Sequence, residues 1–65
     1  MMVKLEEARV LRTKERALEV SGIDAKRILS VRHWLPRSQV EFRRHDTEVW
    51  VPQWLADKKG LSYWQ

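Results

Sequence analysis

The chain has 65 residues, enough for one domain, and a domain this small buries only about 60% of the surface it exposes when unfolded. It has no cysteine, which excludes a disulfide staple and a thiolate-held zinc, and no apolar run near the ~20 residues of a membrane helix. Thirteen lysines and arginines against nine acidic residues give a net charge of +4, which either points to an acidic partner such as nucleic acid or only keeps a small protein in solution.

Eight of the thirteen basic residues are arginine, whose planar fork suits phosphate and carboxylate. Met1-Met2-Val3-Lys4-Leu5-Glu6-Glu7 has no signal-peptide apolar stretch, so the expectation is a soluble protein of the cytoplasm. Four tryptophans are the expected substitute for a staple, since each large ring buries much area. Three of them, and both prolines, lie between Trp34 and Leu61. That stretch is expected to build the core.

Residues 3–20 read two ways. They are rich in helix formers, and Leu5, Ala8 and Leu11 share a helical stripe, but Lys14 and Glu15 break it. Period two does better: Ala8, Val10 and Arg12 on one side, then Leu18 and Val20 after the charged turn Thr13-Lys14-Glu15-Arg16. Two strands joined by that turn are expected. Ser21-Gly22 reads as the first break, with Ile23 to Arg27 as loop or a helical turn. From Ile28 to Leu35 two sets alternate: Leu29, Val31, His33 and Leu35 on one face, Ile28, Ser30, Arg32 and Trp34 on the other. That pattern is strand-like. The competing reading is a helix capped by Asp24. Pro36 ends either element.

Arg37-Ser38-Gln39 reads as a tight corner. Val40-Glu41-Phe42-Arg43 and Glu48-Val49-Trp50-Val51 both alternate. An antiparallel hairpin with Arg43 opposite Glu48 sets Phe42 opposite Val49 and Val40 opposite Val51. It sinks all four apolar residues and leaves Glu41 beside Trp50 outside; a one-residue slip would undo this. Pro52 cannot continue a central strand but can open a helix. A helix over residues 52–59 follows, with lysines in its last turn and Gly60 as its stop, and Leu61 folding back onto Trp54 or Leu55. Ser62-Tyr63-Trp64-Gln65 is a short last strand or a loose tail.

The run Trp34-Leu35-Pro36-Arg37-Ser38-Gln39-Val40, a charged hairpin, Val51-Pro52, Trp54-Leu55-Ala56 and Lys59-Gly60-Leu61 resembles a pattern found in small domains of bacteriophage and prophage proteins. Arg12-Thr13 and Ala17-Leu18 resemble the preceding hairpin of that pattern, while the connection from Ser21 to Arg27 is longer. The resemblance implies a compact β-fold with a short helix, a phage-related origin and a place in the cytoplasm of a bacterial host. It brings no binding or catalytic residues with it.

The fold expected from all this is mostly β: a small antiparallel barrel or curled sheet in the style of SH3 domains, with one short C-terminal helix. The alternative is α+β, with residues 24–35 helical. Ser38, His33 or His45, and Asp46 supply the letters of a catalytic triad without its spacing, and neither histidine has a partner at metal-ligand spacing. No catalysis, metal or cofactor is expected. His45 is expected in an exposed loop, His33 half-buried. The candidate site is Arg32, Trp34, Arg37, Arg43, Arg44 and Trp50, with Arg32 and Trp34 sharing one outward face and Arg43 and Trp50 another: arginines hold phosphates while bases stack on indoles, as on the faces of small β-barrels. The bland alternative makes the tryptophans core and lets the arginines snorkel around them. Burying Trp34, Trp50 and Trp64 together would need a second packed layer, so at least one is expected on a contact surface. Two functions fit: a nucleic-acid-binding accessory protein, acting on DNA or RNA, or a protein-interaction module, such as a phage factor that binds a host enzyme or defence complex through Trp and Arg anchors.

Overall fold

The computed structural model describes residues 1–64. Among them the order is β1 (Met2–Leu5), β2 (Arg9–Thr13), β3 (Ala17–Ile23), β4 (Ser30–Pro36), a 3-10 turn at Arg37–Gln39, β5 (Glu41–Arg43), β6 (Glu48–Pro52), α1 (Gln53–Lys59) and β7 (Tyr63–Trp64). The strands form two antiparallel sheets, ordered β5-β6-β1-β7 and β2-β3-β4. The sheets are stitched on one side, where the Ser62 N–H donates to Ile23 (2.7 Å), the Ala25 N–H donates to Gly60 (2.8 Å) and Asp24 bridges Leu61. On the other side the edges β2 and β5 stay apart. A cleft of about 820 Å³ lies between them, lined by Val10, Leu18, Arg37, Phe42 and Val49 among others. The fold is therefore a curled pair of sheets and not a closed barrel. The single helix has seven residues, and residues 24–35 carry β4 rather than a helix.

The core is aliphatic: Val3, Leu5, Leu18, Val20, Leu35, Val49, Val51, Leu55, Ala56 and Leu61, with Ala8, Val31, Val40 and Tyr63 packed against it. This corrects the expectation of a tryptophan core. No tryptophan is buried; Trp54 and Trp64 are more than half exposed, and Trp34 and Trp50 are half-buried. Strand parity gives the reason. Each sheet buries one face, and Leu35 takes the inward position next to Trp34, as Val49 and Val51 do on either side of Trp50. In α1, Leu55 and Ala56 take the inward side and Trp54 is left outside.

The β5–β6 hairpin has the expected register, Glu41 opposite Trp50, Phe42 opposite Val49 and Arg43 opposite Glu48. Its inward quartet is only partly sunk. Val49 and Val51 are buried and Val40 is half-buried, but Phe42 remains 38% exposed because β5 is the edge strand bordering the open cleft. The tip runs through Arg44, His45 and Asp46 with positive φ at 52°, 54° and 64°, and the Thr47 hydroxyl and N–H both donate to the Arg44 carbonyl.

Two boundaries differ from expectation. Ser21-Gly22 is no break: both residues lie inside β3, which pairs with β4 from Ala17–Pro36 to Ile23–Ser30. Gly22 is buried, and a Cβ there would stand 3.4 Å from a Leu61 methyl, so the absent side chain lets the segment after α1 approach β3. The chain turns at Asp24 instead. The Asp24 carboxylate accepts the N–H groups of Ile28 (2.7 Å) and Leu29 (2.9 Å), closing a loop that leaves both apolar side chains exposed. Those two bonds also hold its carboxyl below the ordinary value. The second difference is β1. This four-residue strand sits between β6 and β7, in a stretch whose helix formers obscure the alternation of Val3 and Leu5. Pro52 caps α1 rather than opening it, and Gly60 ends it with φ 66°. Leu61 folds back into the core that holds Leu55, not onto exposed Trp54, and its N–H donates to the Ala56 carbonyl. Gln65 lies outside the described residues.

Candidate nucleic-acid interface

The outer face of β2-β3-β4 is organised around Glu19. Register places Arg12 and Trp34 directly across from it on the two neighbouring strands, and paired residues point to the same side of a sheet. A bulge between Val10 and Arg12 keeps Arg12 on this face. Arg12 grips Glu19 through two bonds, Nε at 2.8 Å and Nη2 at 3.2 Å, and Glu19 is only 7% exposed. The hydrogen bond from Arg12 is the main reason that the Glu19 carboxyl sits below its ordinary value; burial opposes it, and the charges of Arg12, Arg32 and Lys14 add to it. The same bond pushes the Arg12 guanidinium up. One row further, Arg9 and Arg32 flank Ser21 in register. At the opposite end Lys14 reaches back over the Trp34 ring, 4.8 Å from its centre, beside Arg12 at 5.3 Å. Four cations, Arg9, Arg12, Lys14 and Arg32, thus share this face with one half-buried indole and one carboxylate.

The predicted constellation lies on two faces, as the expected registers have it. Arg32 and Trp34 lie on this face. Arg43, Arg44 and Trp50 lie together on the hairpin, on the outer side of the other sheet, and there they are engaged. The Arg43 guanidinium stacks 3.9 Å from the centre of the Trp50 ring and pairs with Glu41. The Trp50 indole N–H donates to Glu48 at 3.1 Å, which also takes Lys4 at 3.2 Å and Arg44 at 3.7 Å. The indole hydrogen bond and the Lys4 and Arg44 cations hold the Glu48 carboxyl low. Arg37 belongs to neither group. It lies in the 3-10 turn, its N–H donating to Arg16, on the rim of the cleft.

A third unit was not anticipated. Arg27 sits 5.8 Å from the Trp64 ring centre and pairs with Glu6 at 3.1 Å, while the Ser62 hydroxyl donates to the same carboxylate oxygen at 2.7 Å. Trp34, Trp50 and Trp64 therefore share one arrangement: an arginine over the indole, held by a carboxylate. Trp54 has no cation over its ring among the described residues. Sequence reasoning placed Trp54 in the core; its exposure beside buried Leu55 was readable only once the helix phase was known. Of the triad letters, Ser38 lies in the 3-10 turn, His33 is half-buried in β4, and His45 and Asp46 are at the exposed hairpin tip. No hydrogen bond joins them among the described residues. No described helix is long and apolar enough to cross a membrane. No family model, curated protein or solved structure matches this chain.

Proposed function

We propose that this protein is a small nucleic-acid-binding accessory protein that acts without catalysis and binds through the outer face of β2-β3-β4. The observation that carries the reading is the charge imbalance of that face. Arg9, Lys14 and Arg32 have no ion-pair partner among the described residues, and Glu19, the carboxylate in register between Arg12 and Trp34, is already held by Arg12. Unpaired cations on one sheet face are the electrostatic footprint a phosphate backbone selects. The hairpin arginines are a weaker choice, since Glu41 and Glu48 answer them. The phage-related origin and the bacterial cytoplasm rest on the Trp-Leu-Pro-Arg-Ser-Gln-Val motif and its companions alone.

The test is binding of labelled single-stranded and duplex DNA and RNA at low salt. Affinity for at least one of them should fall steeply as salt rises, by a slope near the number of phosphates displaced. No binding to any of the four would end this reading. The open cleft favours a second one, a protein-interaction module: Phe42 and Val10 stay partly exposed there, with Arg37 on the rim. Capture of a host protein that survives nuclease and high salt would support it.

A further inference from the structure

Resting on that reading, we infer that the bound nucleic acid is single-stranded and that Trp54 is the residue on which a base stacks. Three of the four indoles are covered by their own arginine, and each arginine is tied to a carboxylate. A base seeking the face of Trp50 would have to displace a guanidinium that lies 3.9 Å from the ring centre. Trp54 asks for no such displacement. It is 56% exposed and stands on α1, a rigid element pinned by buried Leu55 and Ala56.

Its surroundings have the chemistry of a strand path. Trp54 shares a recess of about 380 Å³ with Trp34, Pro36, Arg16, Lys58 and Lys59. Trp34 also belongs to the basic face, on its edge strand β4, so the recess continues that face around the edge of β4 onto the helix. Arg16, Lys58 and Lys59 have no ion-pair partner among the described residues; Glu15 shares the turn with Arg16, and Asp57, the acidic residue of α1, accepts from the Tyr63 hydroxyl at 2.9 Å. A basic track interrupted by a bare aromatic ring fits a backbone followed by phosphates with one base laid on the indole. A duplex has its bases already stacked and cannot offer one. The contacts are thus of two kinds: Arg9, Arg32, Lys58 and Lys59 hold phosphates, and Trp54 reads the presence of an unpaired base.

The experiment compares a short oligothymidylate with a duplex of equal length, bound to the wild-type chain and to Trp54→Ala and Trp54→Phe. The single strand should bind more tightly than the duplex and quench part of the tryptophan emission. Trp54→Ala should weaken single-strand binding by about 5- to 150-fold, the range of one lost stack, leave duplex binding unchanged and remove that part of the quenching. Trp54→Phe, which keeps a ring, should retain most of the affinity. Because Trp54 is exposed, both variants should melt like the wild type. Equal single-strand affinity in Trp54→Ala, or a preference for duplex, would overturn the inference and leave the functional reading standing. Absence of all nucleic-acid binding at low salt would overturn both.

Discussion

Glu19 shows how one residue sets the character of a face. Its neighbours in register, Arg12 and Trp34, come from opposite sides in sequence, and its carboxylate holds the guanidinium that lies over the indole. Because its folded pKa is depressed, Glu19 stabilises the fold fully above its unfolded value, near 4.5, and that contribution disappears as pH falls through the lower folded value. Asp24 and Glu48 act in the same direction. Thermal midpoints should therefore be flat from pH 7 to about 5 and fall below that. Glu19→Gln should melt lower at neutral pH and lose stability less steeply as acid is added. Parallel acid limbs in the two proteins would contradict the pairing. That arginines and tryptophans belong together was legible in the sequence. That Arg43 meets Trp50 was legible from the hairpin register; Arg12–Trp34 and Arg27–Trp64 were not, because the first spans β3 from β2 to β4 and the second joins the Asp24 loop to the C-terminal strand.

Among the elements, the β5–β6 hairpin was the most legible, since two alternating runs around a charged tip leave one register that buries both valines of β6. The helix was legible through its ends. Gly60 adopts φ 66°, and its N–H satisfies the last carbonyls of α1. No atom stands within 4 Å of where a Cβ would be, so Gly60→Ala tests backbone conformation alone. It should cost about 1–2 kcal/mol in denaturant unfolding, the penalty of a left-handed L-residue; a neutral result would mean that the helix ends elsewhere. β1 and the length of β3 were not legible. Four residues rich in helix formers give too short an alternation to read, and Gly22 signals a turn by propensity while serving as a point of close approach to Leu61. Phe42 misled for a related reason: its parity is inward, but inward at this edge means the mouth of the cleft.

As a whole, the molecule is two sheets closed on one side by Gly60–Ser62 and open on the other, with a core made only of aliphatic residues. Its total stability should be about 3–10 kcal/mol, the usual margin for this length. Leu35, fully buried where β4 meets the centre of the core, makes that margin testable: Leu35→Ala should lose about 2–5 kcal/mol, enough to bring denaturant unfolding close to native conditions. Sparing the interior of aromatics leaves the four indoles at the surface, three under an arginine and Trp54 bare, among cations that outnumber the acids. The claim that this outer surface, and specifically β2-β3-β4, meets nucleic acid is tested most directly by reversing its charge. Arg9→Glu with Arg32→Glu should abolish tight binding of labelled single-stranded DNA at low salt and reduce the slope of log affinity against log salt by about 1.4, two phosphates' worth for a single strand. Arg43→Ala with Arg44→Ala should leave both nearly unchanged. Wild-type binding in the first variant, or loss confined to the second, would contradict the account.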